Sequence, residues 1–131
     1  MSKETHKKLA LEDLMARAEQ RAGDKNAYKN VYVEPLGGEL TVEKIPLARV
    51  LSMLDGVDGS SMTDNLDFQA DIIYHCCPVL RDPALREAYG DKTSTDLVCA
   101  VFEDNIGAIS KTAEEILDFY GLADHKEAVK N

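Results

Sequence analysis

Only one stretch of this chain alternates apolar residues with a period of two. In "VYVEPLGGELTVEKI" (31–45), Val31 and Val33 lead into Gly37-Gly38, and Leu40 and Val42 lead out of it. β-branched and aliphatic residues alternating on either side of a Gly-Gly pair predict a β-hairpin. Pro35 cannot donate to a ladder, so it puts the first arm at an edge or a strand end. A lone hairpin is marginal in water and must pack on helices or pair with another chain. From Pro46 onward every apolar pattern repeats at helical spacing. The expected fold is therefore α+β and mostly α, a small multi-helix domain with one N-terminal β-hairpin.

The helical stretches are bounded by residues that start and stop helices. "KKLALEDLMARAEQRA" (7–22) contains neither Gly nor Pro, and Leu11, Leu14, Met15, Ala18 and Ala22 share one side of it. Asp13 precedes Arg17 by one turn on the outer side. Gly23 ends this helix, and 23–30 reads as a linker. "PLARVLSMLDG" begins with Pro in the first turn, is expected to bury Leu47, Val50, Leu51 and Leu54, and stops near Gly56. A helix follows over about 61–77. A short one is introduced by Asp82-Pro83 and followed by Gly90, another covers 94–102, and the last spans about 104–120. The last helix gathers Ile106, Ile109, Ala113, Ile116, Leu117 and Tyr120 on one side before Gly121. This divides the chain into a helical arm (1–25), a domain (26–122) and a polar tail (123–131).

Charge is distributed unevenly along the 131 residues. Net charge is -9, yet residues 1–30 hold seven Lys/Arg against five Asp/Glu, whereas 31–131 hold eight against nineteen. An acidic body repels phosphate, which argues against nucleic acid as a partner. No apolar run approaches the roughly 18 residues of a membrane span, and "MSKETHKKLALEDL" lacks the apolar core of a signal peptide. Three cysteines without a paired spacing suit a reducing cytoplasm. The loop "DGVDGSS" (55–61) fails the EF-hand pattern. With Asp55 as first ligand, Val57 and Leu66 fall where oxygen ligands are required.

The stretch "IIYHCCPVL" (72–80) has the residue types of a reactive centre or a metal site. Helical angles argue otherwise. With Leu66 at zero, Met62, Ala70, Ile73, Tyr74 and Cys77 fall on the core stripe, and Cys76 sits at its flank. His75 points about 180° away, among Asp64, Asp67 and Asp71. A Cys-His pair needs the imidazole within hydrogen-bond reach of the sulfur. Adjacent cysteines on a helix cannot converge on one zinc ion. Buried free cysteine is a common core residue. The chain carries no Gly-rich phosphate loop and no nucleophile-elbow motif. The expectation is a protein that is not an enzyme, with no catalytic residue, no cofactor and no metal.

Some apolar residues do not fit their stripes. Phe68 and Ile72 fall about 200° and 240° round the third helix, and Phe119 about 220° from Ile106 on the last. Either a second element covers them, or they form an apolar patch for a partner segment. Leu11, Leu14 and Met15 on the arm are candidates for the same use. The partner-binding candidates are thus Leu11, Leu14, Met15, Phe68, Ile72 and Phe119.

The order of motifs resembles the XkdN-like tail assembly chaperones of tailed bacteriophages and phage-like elements. The resemblance is carried by "VYVEPLGGELTV" (31–42), "PLARVLSMLD" (46–55), "IIYHCCPVLRDPALREAYG" (72–90), "DLV…VF" (96–102) and "ILDFYGL" (116–122), and spans roughly 28–122. The chain departs from the family in "KTSTDLV", where an acidic-Pro dipeptide is usual, and in Asn105-Ile106, where Glu-Ile is usual. The resemblance implies a non-enzymatic protein of the bacterial host cytoplasm that keeps the tape measure protein soluble until tail tube subunits polymerise. The tail tube protein is then a further candidate partner, and the mature virion should lack the chain. The alternative is a structural or adaptor component retained in the virion, with the hairpin edge adding a strand to a neighbour. Self-association into a homo-oligomer is compatible with both.

Overall fold

The structure, a computed structural model, describes residues 8–23 and 28–122. Residues 24–27 of the linker, the tail 123–131, His6 and His125 lie outside the described residues, as does the side chain of Ala22. Among the described residues, six α-helices and one antiparallel hairpin follow in the order α1 (Leu11–Gly23), β1 (Tyr28–Val33), β2 (Gly38–Glu43), α2 (Leu47–Asp55), α3 (Met62–Cys76), α4 (Pro83–Ala88), α5 (Ser94–Val101) and α6 (Ile106–Phe119). Short 3₁₀ turns lie at Glu34–Leu36 and Pro78–Arg81. The mostly helical α+β expectation holds.

The hairpin pairs Val31 with Leu40 and Val33 with Gly38. Gly37 takes a left-handed conformation, φ 64°, where a Cβ would strain the backbone. Val31, Val33 and Val42 point inward and are buried, while Tyr28 and Tyr32 point outward. The alternation thus seats one face of the ribbon on the helices, as a two-stranded sheet requires.

Helix boundaries follow side-chain chemistry. Ser61 caps α3 by accepting from the Asp64 amide (3.1 Å), and Asp82 caps α4 by accepting from the Ala84 amide (2.9 Å), with Pro83 in the first turn. Thr93 and Asn105 do the same for α5 and α6. Each such cap contributes about 1 kcal/mol. Gly90 and Gly121 follow helix ends with positive φ.

α3 is the central element. It packs on α5 and α6, on the second 3₁₀ turn, on α2 and on β2. Phe68, Ile72 and Cys76 are buried along one side of it, and Ala70, Ile73 and Cys77 along another. A helix covered on two sides needs two apolar stripes. For Phe68 and Ile72 this agrees with the reading in which a second element covers them, not with an exposed patch. The hydroxyl of Ser94 donates to Asp71 (2.6 Å) and that of Thr95 to Asp67 (2.9 Å), which fixes the start of α5 over the face that helical angles assign to water. Burying such residues contributes about 1.5–3 kcal/mol each.

Other expected core residues lie outside. On α2, Val50 is buried and Met53 and Leu54 pack against the core, while Leu47 and Leu51 are exposed. Leu51 lies about 100° round from Val50, and a nine-residue helix leaning on one neighbour buries only its centre line. Met62 and Ile106 are also exposed, at 78% and 52%. Each is the first residue of its helix, where the neighbouring elements no longer cover it.

A candidate partner-binding groove

A groove of about 710 Å³ lies between α3, α6 and the α2–α3 loop. The α6 wall consists of Ile106, Ser110, Ala113, Glu114 and Leu117, a single stripe at i, i+4, i+7, i+8 and i+11. Met62, Asn65, Leu66, Phe68 and Gln69 form the α3 wall. Leu54 and Val57 contribute from α2 and its loop, and Leu122 from beyond α6. Phe68, Ala113 and Leu117 are buried, whereas Met62 and Ile106 are exposed. Among the described residues lining it, Glu114 is the one charged side chain. Ser110 donates to Gln69 Oε1 (3.1 Å), a polar tie between the walls. Concave, mostly apolar surface of this size is what ligand and peptide segments occupy.

The loop beside the groove is held by its own acids. Asp58 Oδ1 accepts from the amide and hydroxyl of Ser60 (3.0 and 2.8 Å), which hold its carboxyl below the usual range. Asp64 accepts from the Asp58 amide (3.2 Å). Asp58 and Asp64 are thus engaged in turn and cap hydrogen bonds. Among the described residues no three His, Cys, Asp or Glu side chains cluster as a metal site would require.

The six residues singled out from sequence separate into distinct environments. Leu11, Leu14 and Met15 are exposed at 71%, 52% and 56%, an apolar ridge on α1 that the described residues do not cover. Phe68 belongs to the groove, but Ile72 is fully buried and presents nothing to a partner. Phe119 is half-buried under two ammonium groups, with Lys29 Nζ 5.5 Å and Lys44 Nζ 4.9 Å from its ring centroid. Those cations, one on β1 and one just after β2, occupy the Phe119 face, and each contact contributes about 0.5–1 kcal/mol at such a site. Sequence reasoning missed Met62 and Ile106 as surface residues. Their position at helix starts was the available signal.

Cys76 and Cys77 are both buried. Burial pushes the Cys77 thiol up to about 12, reinforced by the neighbouring Cys76, and burial likewise raises Cys76. Cys99 is half-buried and raised by burial, then by Asp104, Asp96 and Asp67. A thiol held protonated is a poor nucleophile. His75 is partly covered rather than in open water. Its Nδ1 lies 3.2 Å from Arg49 Nη2, and Arg81 donates to its backbone carbonyl. Burial, then Arg49, lower its basicity. Beyond the cysteines, the Tyr120 hydroxyl accepts from the Ile45 amide (2.6 Å) and donates to the Ile45 carbonyl (2.8 Å). This ties the end of α6 to the segment between hairpin and α2.

A scan of family models, a search of curated proteins and a search of solved structures find no match to this chain. No helix among the described residues is long and apolar enough to cross a membrane. The groove and the α1 ridge are therefore interpreted from their own chemistry.

Proposed function

We propose that the chain is a non-enzymatic tail assembly chaperone, which binds the tape measure protein of a tailed phage in the host cytoplasm. The observation that carries this reading is the apolar groove between α3 and α6, present together with the α1 ridge on an acidic body. A tape measure protein is a long helical chain that exposes apolar surface before the tube forms around it. An amphipathic helix laid in the groove hides its apolar stripe, and the added negative charge keeps the complex apart from others. Release requires no nucleotide, because polymerising tube subunits compete for the same chain by mass action. The ordered motifs over 28–122 that resemble the XkdN-like family support the same reading.

Co-expression tests it. The cognate tape measure protein should appear in the soluble fraction with the wild-type chain, and in the pellet with Ile106→Asp or Met62→Asp. A tape measure protein equally soluble without this chain defeats the reading. Mass spectrometry of purified particles should not detect the chain. Its presence in stoichiometric amount supports a retained structural component instead.

A further inference from the structure

The cations of the acidic body are gathered rather than scattered. Lys29 and Lys44 both sit over the Phe119 ring, and Lys44 also lies 5.5 Å from the ring centroid of Tyr120. The Tyr120 hydroxyl is bonded to Ile45, and Arg49 follows in the first turn of α2. Arg49 Nη2 reaches His75 Nδ1 at 3.2 Å, and Arg81 Nη1 donates to the His75 carbonyl at 2.5 Å. Arg86 on α4 bonds the hydroxyl of Tyr74, the neighbour of His75, and lies 5.5 Å from its ring centroid. Contacts thus join Lys29, Lys44, Arg49, His75, Arg81 and Arg86 into one strip. Arginine only donates, so His75 Nδ1 accepts and its ring proton lies on Nε2, a further donor. Among the described residues Arg86 pairs with Asp91 (3.1 Å), whereas Lys29, Lys44, Arg49 and Arg81 meet no carboxylate at ion-pair distance. Acids beside the strip have other partners. Asp71, which faces His75 from one turn earlier, accepts from Ser94, and Asp82 caps α4. Like charges gathered without counter-ions repel one another, in a body where carboxylates outnumber cations more than two to one.

We infer that this strip is a docking surface for a short acidic segment of a partner protein, whose Asp and Glu side chains accept from Lys44, Arg49 and Arg81. Guanidinium forks match carboxylates two N–H groups at a time, and arginine clusters are a recurring reader of acidic motifs. Exposed charges act over about 8 Å at physiological salt, so the strip attracts such a segment although the whole molecule is acidic. A nucleic-acid strand has the same sign, but its phosphates continue past the strip onto acidic surface and are repelled there. A segment of a few residues ends within it. None of the six strip residues lines the α3–α6 groove, so the inference stands whatever the groove holds.

Fluorescence anisotropy of a labelled decapeptide of alternating Glu and Ala, titrated with the full-length protein at low ionic strength, tests this. Lys44→Glu and Arg49→Glu are the strip variants, and Lys111→Glu makes the same charge change on α6 outside the strip. All three side chains are exposed, so circular dichroism should report folded variants. Wild type should bind the peptide, and each strip variant should bind it about tenfold more weakly or worse. Lys111→Glu should stay within about twofold of wild type, because its charge acts from beyond the screening distance. The same peptide with Gln in place of Glu should not bind. A wild type that ignores the acidic peptide overturns the inference. So does an equal loss in all three variants, which would assign the attraction to net charge. Tighter binding of an oligothymidylate of equal charge overturns it as well and gives the strip to nucleic acid.

Discussion

α1 and α3 are two helices of similar length with opposite relations to the rest of the chain. α1 has a coherent apolar stripe in the sequence, yet its leucines and Met15 remain exposed. α3 has a scattered pattern and is buried on two sides. An amphipathic stripe therefore states that a helix has something to bury, not that its own chain supplies the cover. A scattered pattern, conversely, marks a helix with several neighbours.

The contrast can be broken most severely at Ile72. Ile72→Ala should cost about 2–5 kcal/mol in urea denaturation, as for other buried aliphatic truncations. A loss below about 1 kcal/mol would mean that Ile72 is not packed in the core. Tyr120→Phe removes the hydroxyl that satisfies both backbone groups of Ile45 and should cost about 1–3 kcal/mol by the same measurement. The turn between α5 and α6 offers a change of opposite sign. Glu103 and Asp104 both have positive φ, 57° and 59°. Asp104→Gly should relieve that backbone and stabilise by about 1 kcal/mol, read as a raised melting temperature.

His75 sharpens the comparison through pH. Burial and Arg49 lower its folded-state basicity, with Arg81 acting in the same direction and Asp71 opposing. The unfolded chain then binds the proton more readily than the native one. Stability should fall as pH drops from about 7 through the ordinary histidine range near 6.5 and level off below the folded value. His75→Gln should flatten that slope in a pH series of melting temperatures. An unchanged slope would assign the acid sensitivity to the carboxylates. The smallest effect belongs to the arm. Leu11→Ala should shift stability by no more than about 0.5 kcal/mol, because Leu11 is exposed.

Local structure was legible because its causes are local. Ser61, Asp82-Pro83, Gly90 and Gly121 act within a few residues of themselves, and each helix end they predict is present. The hairpin followed from the valines and the Gly pair in the same way. The groove was not legible, because it exists only where α3 and α6 meet. Met62 and Ile106 each fitted a core stripe by angle, and only the ends of the neighbouring elements leave them uncovered. Phe68 and Ile72 show the converse. Their cover comes from elements distant in sequence, as where Phe68 lines the α3–α6 groove with Ala113 and Leu117.

The cysteines that first suggested chemistry serve a different purpose once their burial is known. Cys76 and Cys77 lie in the packed centre, while Cys99 is half accessible. A thiol-specific reagent should therefore find one site on the folded chain and three when the centre opens, so the protein contains its own gauge of cooperative opening. The rate at which the second and third thiols react reports how often α3 comes free of its neighbours, in the native protein and without any added label.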